Sequence, residues 1–393
     1  MKNAKLDAKT KHYMKQVVFL TRLLTHYRTP FHEAVRHRLA AHGIAYRVVY
    51  GAPTTSEASK GDLADLSWGE PTKNYYAGRG KLVWQKLPHL NDVDLMIIGQ
   101  ENKNLHNYAL QLLRYVGGPR LAFFGHGRNF QATGRASFSE CFKRFWLTRV
   151  DWWFAYTENS ANIVEKVGFP RNQITIFNNT IDTSRIRNEL NSIAVSERER
   201  LRHEVFQGSQ NIGIYIGGLY ELKRIPFLLE AAEKIRSQIP DFHLVIIGGG
   251  DEAQRVRSAA ANHKWIHALG PKFGREKTLF ASLGRVFLMP GLVGLSVMDA
   301  FAYGLPMVTT AVSYHSPEID YLKDGQNGVI VQDVKNSVAY ADAIVRILQD
   351  QNWHRMLCLG AEEALSTYTV DAMANSFSDG VLQALEYCDV NKM

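Results

Sequence analysis

The stretch from Val286 to Pro306 constrains this chain more than any other. It holds a short apolar run, a glycine-bearing turn, a helix-forming run and a Gly-Leu-Pro stop. Residues 286–289 read as a buried parallel strand. Pro290 and Gly291 end it, a helix is expected from about Gly294 to Tyr303, and Gly304-Leu305-Pro306 stops that helix before the next strand. Strand, glycine turn and helix N-terminus together form the geometry that holds a diphosphate. Free N–H groups and the positive end of the helix dipole meet the anion, and glycine lets the backbone come close. Asp299 sits about a turn and a half into the helix, where a carboxylate could reach a ribose hydroxyl. An ordinary strand–helix crossover with an exposed Asp carries the same pattern, and on this stretch alone the two readings stand even.

The rest of the chain repeats the alternation. Strands are expected at residues 16–20, 45–50, 94–98, 120–124, 152–156 and 174–177, and again at 212–216, 243–247, 265–268, 286–289, 307–310 and 328–331. Between them lie helices opened by Pro30 and near 106–115, 137–149 and 159–167, and three more helices end the chain. Residues 51–80 read as a long loop and 183–209 as a charged linker with a short helix. Strands alternating with helices imply a parallel sheet covered on both faces. The expected architecture is therefore α/β: two doubly wound Rossmann-like domains, residues 15–185 and 186–370, facing across a cleft. Residues 1–14 form a disordered extension, and the last helix, 371–393, packs back toward the first domain. Ligands in such sheets bind beyond the carboxyl ends of the strands.

Charge and cysteine content narrow the function. Residues 1–190 carry 27 Lys and Arg against 15 Asp and Glu, while the whole chain nets only +8. The first half thus faces something anionic, or is simply a soluble basic face. No apolar run approaches the ~18 residues of a membrane span. The basic first residues are followed only by Val17 to Leu20, too short for a signal-peptide core, so a cytoplasmic location is expected. Cys141, Cys358 and Cys388 show no metal-ligand spacing. Asp92-Val93-Asp94 matches the D-x-D pattern of metal-dependent transferases but precedes a strand where the metal motif ends one, so no metal is expected.

Three segments in the second half resemble the retaining glycosyltransferases of family 4, which have the GT-B fold. They are Tyr215 to Arg224 with the helix that follows, the stretch from Met289 to Pro306, and Pro317-Glu318-Ile319 with Asp324 to Gly328. In the first half, Thr157 to Asp182, including Phe177-Asn178-Asn179-Thr180-Ile181-Asp182, is similar to the segment closing the family's first domain. The resemblance implies transfer of a sugar from a UDP- or GDP-sugar co-substrate, with no cofactor, to a glycan or polyprenyl-diphosphate-linked acceptor with retention, in cell-surface polysaccharide biosynthesis. It implies that Gly217, Gly218, Lys223, Arg224, Gly294, Leu295, Ser296, Asp299 and Glu318 bind the donor, and that His126, after a buried strand and between two glycines, touches the transferred sugar. Two family positions differ. Gly218 stands where the family has an arginine, and Gly291 where it has the first of two glutamates eight residues apart.

Arg22 and Arg28, in the turn after the first strand, are candidates for an acceptor phosphate, with surface arginines as the even alternative. Phe138, Cys141, Phe142, Phe145 and Trp146 fall at helical spacing among Lys143, Arg144 and Arg149. Such a stripe is mostly core packing, but it also fits peripheral contact with the inner face of the plasma membrane. No helix-turn-helix, zinc or RNA-binding signature accompanies the basic charge, so nucleic acid is not an expected partner. Because of the two glycine replacements, a non-catalytic GT-B scaffold that binds a partner or a glycan stands as the alternative. A sugar-nucleotide epimerase comes third.

Overall fold

The computed structural model describes residues 14–54, 57, 63–78, 80–127 and 145–390. In chain order its first strands are β1 (Gln16–Thr21), β2 (Ala45–Gly51), β3 (Glu70–Thr72), β4 (Asn74–Ala77), β5 (Leu82–Gln85), β6 (Leu95–Gly99), β7 (Arg120–Gly125), β8 (Trp152–Ala155) and β9 (Ile174–Ile176). All but β4 and β5 join one parallel sheet in the order β3-β2-β1-β6-β7-β8-β9. The second sheet holds β10 (Ile212–Ile216), β11 (His243–Ile247), β12 (Ile266–Gly270), β13 (Val286–Leu288), β14 (Met307–Thr310) and β15 (Gly328–Val331). Its order is β12-β11-β10-β13-β14-β15, again parallel. Helices cover both faces, so the strands read as unbroken apolar runs. All five residues of β10 are buried.

Each sheet reverses its winding direction once, between β1 and β6 in the first and between β10 and β13 in the second. A crevice opens at such a switch point because the two connections leave in opposite directions. The helix Val370–Val390 packs against the helix Thr29–Ala41 and lodges Phe377 in the first domain's core. The Phe377 ring lies 4.4 Å from that of Phe154 and 5.1 Å from that of Phe31. Gly380 allows this approach, since a Cβ there would come within 2.3 Å of Thr175 Oγ1.

Three expectations change. The loop expected over 51–80 contains β3 and β4, and β5 was not foreseen. β3 is set by pairing with β2, and β4 and β5 by pairing with each other, rather than by apolar alternation. The charged linker 183–209 is two helices, Thr183–Asn191 and Val195–Phe206, since charged residues hold a helix when one stripe packs inward. The helix after β13 is shorter than expected, Ser296–Ala302. The extension over 1–14, apart from Met14, lies outside the described residues. So do residues 137–144 of the helix expected near 137–149, with Phe138, Cys141 and Phe142, whereas 145–147 are helical.

The last helix fills an aromatic cluster, so Phe377→Ala should lower the first domain's stability by about 3–5 kcal/mol. Urea unfolding should show an early first transition, with the second domain's transition unmoved.

Candidate functional site

The turns after β10 and β13 meet at the second switch point. The Leu292 N–H donates to the Leu222 carbonyl at 2.9 Å. The Lys223 ammonium donates to the Leu292 carbonyl at 2.5 Å and lies 3.4 Å from that of Val293. Lys223 is only 4% exposed. Burial pulls its pKa down to about 8, against the pull of the Glu318 and Asp299 carboxylates. An ammonium has three N–H groups, so these two carbonyls leave a third available. His315 clamps the same turn: its Nδ1 accepts from the Val293 N–H at 3.2 Å, and its Nε2 lies 2.7 Å from the Thr310 carbonyl. Burial lowers its pKa to about 4, so the ring is neutral and can accept that bond.

Gly291 and Gly218 are both closed in by their neighbours. A Cβ on Gly291 would stand 2.2 Å from the Leu222 carbonyl oxygen and 2.7 Å from the Lys223 backbone. No side chain fits there without separating the two turns. A Cβ on Gly218 would lie 2.8 Å from the Tyr220 ring. Gly217, Gly218, Gly294, Leu295 and Ser296 are each partly accessible. Gly294 has a φ of 55°, in the left-handed region that glycine adopts without strain.

The other predicted donor residues divide. Asp299 pairs with Lys277 at 2.9 Å, an ion pair whose members are 17% and 20% exposed. Although burial opposes it, Asp299 holds the Lys277 ammonium above its ordinary range. Arg224 has a left-handed φ of 58°. It donates to Thr310 Oγ1 at 2.8 Å, to the Pro290 carbonyl at 3.3 Å and to the Val334 carbonyl. Glu318 is 3% exposed, and burial raises its pKa. It joins the domains, because Asn179 Nδ2, just past β9, donates to Glu318 Oε1 at 2.5 Å. Tyr321 OH donates to the Asn179 carbonyl at 3.0 Å. The other oxygens of this pair, Asn179 Oδ1 and Glu318 Oε2, are buried with no hydrogen-bond partner among the described residues.

On the first domain's side, His126 follows β7 and its ring stands edge-on to Tyr156, 6.0 Å between centroids. The Arg28 guanidinium lies 5.4 Å from the Phe124 ring and 5.6 Å from that of Tyr156, and its charge is felt by Glu318. Arg22 is engaged by two carboxylates, Glu57 at 2.5 Å and Glu101 at 3.5 Å. Asp94 accepts from the Gln16 N–H at 2.7 Å, at the end of the sheet remote from the cleft. Among the described residues no group of three or more His, Cys, Asp or Glu could hold a metal, and no helix is long and apolar enough to cross a membrane.

Sequence reasoning missed Lys277, His315, Tyr220 and the partnership of Asn179 with Glu318. It also passed over Gly248-Gly249-Gly250 at the end of β11, although three consecutive glycines are a visible signal. A Cβ on Gly248 would lie 1.9 Å from the Gly217 carbonyl oxygen, so this run supports the corner from the other side.

Two predictions follow from the contact between the turns. Gly291→Ala should destabilise the second domain by about 1–3 kcal/mol through overpacking, read by urea unfolding. Lys223 binds its proton more weakly folded, near pH 8, than unfolded, near 10.5. Between those values the unfolded chain holds more protons, so stability should rise with pH across that window. The rise is at most about 1.4 kcal/mol per pH unit and should be absent in Lys223→Met.

The family model of the glycosyl transferases group 1 matches residues 210–350. The GtfA subunit of a UDP-N-acetylglucosamine–peptide N-acetylglucosaminyltransferase from Streptococcus pneumoniae is 27% identical over 143 residues, 34% of this chain and 28% of that protein. A phosphatidyl-myo-inositol mannosyltransferase from Mycobacterium leprae is 26% identical over 157 residues, 39% of this chain and 41% of that protein. The chain thus matches less than half the length of these curated relatives. The structure of Anabaena HepE in complex with UDP superposes with a TM-score of 0.67 at 12% identity, covering 93% of this chain and 99% of that one. This chain has the GT-B fold, and its second domain matches the glycosyl transferases group 1.

Proposed function

We propose that this chain is a retaining, metal-independent glycosyltransferase. It moves a sugar from a nucleoside-diphosphate donor to a glycan or polyprenyl-diphosphate-linked acceptor in polysaccharide biosynthesis, in the cytoplasm or at the inner face of the membrane. The observation that carries this reading is the corner at the second switch point. There a buried lysine, a glycine turn and the N-terminal end of a helix converge where an anion can enter. The likeness to a structure holding UDP favours a UDP-sugar over a GDP-sugar.

In this reading Lys223 and the backbone N–H groups of Gly294, Leu295 and Ser296 hold the diphosphate, and Gly217 and Gly218 let it approach β10. Asp299, oriented by Lys277, accepts from the ribose. The bond between the anomeric carbon and the phosphate oxygen breaks, and the charge on the departing diphosphate grows. Fixed donors aimed at that charge lower the barrier. The acceptor hydroxyl bonds the same face of the carbon, and its proton passes to the leaving phosphate. His126 and Glu318 flank the sugar from the two domains. Arg28 carries the acceptor's negative group. Arg224 holds the corner's shape rather than the phosphate, and Arg22 is held back by Glu57 and Glu101.

A second reading rests on Gly291. The family's first glutamate has no room there, so a scaffold without catalysis would show the same packing. The wild-type chain should release UDP from a UDP-sugar when an acceptor extract is added, and Lys223→Ala should do so roughly a hundredfold more slowly. Equal turnover by that variant would remove the corner from the mechanism. Calorimetry that detects no binding of UDP or GDP would favour the scaffold, and donor conversion with no acceptor present would favour an epimerase.

A further inference from the structure

The β4–β5 hairpin has two faces of opposite character. Its inner face is tied to the carboxyl ends of β1 and β2. Asn74 Nδ2 donates to the carbonyls of Arg22 and Ala52, both at 2.9 Å. Tyr76 OH donates to the Ala52 carbonyl at 2.9 Å, and Gln85 Nε2 to that of Thr21 at 2.8 Å. Val83 and Gln85 are 1% and 0% exposed. Gly51 brings the strands into contact, since a Cβ there would meet Asn74 Oδ1 at 2.1 Å. The hairpin is therefore a rigid shelf at the switch-point end of the first sheet.

Its outer face is apolar and cationic and largely exposed, with the Trp84 ring meeting that of His106 edge-on at 6.5 Å between centroids. Tyr75 and Trp84 lie directly opposite each other, as do Ala77 and Leu82. Tyr75 is 55% exposed and Trp84 41%. The ladder continues with the Lys86 N–H donating to the Lys73 carbonyl at 2.9 Å, which sets two exposed lysines side by side next to the aromatic pair. Neither lysine has an ion-pair partner among the described residues. Like charges set opposite each other destabilise a sheet, and exposed aromatic pairs forgo burial. A ligand that relieves both combines an anion with a ring bearing polarised C–H bonds, which pack against the negative face of an aromatic.

We propose that this face is a subsite for an acidic glycan. One sugar ring lies on Tyr75 and Trp84, and its carboxylate or phosphate sits between Lys73 and Lys86. Resting on the glycosyltransferase reading above, the subsite holds a part of the acceptor remote from the reacting hydroxyl, and remote contacts of this kind are what orient a substrate. A lipid surface fits less well. Gly78, Gly80 and Lys81, between the two strands, offer no apolar side chain, and the aromatics sit midway along the strands.

Calorimetry on the full chain tests this, with hyaluronan hexasaccharide as the acidic probe and maltohexaose as the neutral one. The acidic probe should bind about tenfold more tightly than the neutral one. Trp84→Ala should weaken both by about tenfold, and the double variant Lys73→Gln/Lys86→Gln should abolish the preference. All three positions are exposed, so each variant should fold cooperatively, and the double lysine variant should melt no lower than wild type because it removes a like-charge pair. Binding of neither probe, or binding untouched by Trp84→Ala, would overturn the subsite. Phosphatidylglycerol vesicles that sediment with wild type but not with Trp84→Ala would assign the face to lipid instead. A dimer in sedimentation velocity that the same change dissociates would assign it to a second copy. UDP binding should be equal in every variant, and its absence from wild type would strike the donor reading and leave the hairpin result standing.

Discussion

Two turns in direct backbone contact decide what the second domain can hold. With no side chain at Gly291, the segment after β13 lies against Leu222 and Lys223. That approach brings the Leu292 and Val293 carbonyls to the lysine's ammonium. A buried cation without acceptors would be expensive, and the turn supplies them from its own backbone. The charge is thereby kept at the end of the sheet, poised at a pKa near 8 by burial against two carboxylates. His315, neutral because it is buried, fixes the turn that carries those carbonyls.

Two carboxylates stand near the corner, and each has its own partner. Glu318 enters from the segment after β14 and is met by Asn179 from the other domain. Asp299 is held by Lys277. The domain junction runs through the same residues, since Tyr321 reaches the Asn179 carbonyl and Thr180 Oγ1 donates to the Tyr368 carbonyl at 2.9 Å. Motion of one domain over the other therefore acts directly on Glu318.

The architecture was legible in the sequence because buried parallel strands are unbroken apolar runs. Those runs located β1, β2, β6 to β9 and all six strands of the second sheet to within a residue or two. The corner was legible for the same reason, as glycine and proline mark where strands stop. The β4–β5 hairpin was not legible. Its inner face is held by Asn74, Tyr76 and Gln85 bonding to backbone carbonyls, and such polar residues look like loop in a linear reading. The helices at Thr183–Asn191 and Val195–Phe206 were hidden by their charge.

The sequence by itself determined the two wound sheets and the place of the glycine corner, because local apolar pattern and turn chemistry encode them; Lys223 was singled out by resemblance to a family. Which groups the side chains meet was decided only in three dimensions. Lys223 and Arg224 are adjacent and both cationic, yet Lys223 bonds to the carbonyls of Leu292 and Val293, and Arg224 to Pro290, Thr310 and Val334. Lys277 meets Asp299, and Asn179 meets Glu318, across 22 and 139 residues of chain. Pairings at that separation depend on how the helices and domains pack, and no local pattern carries that information.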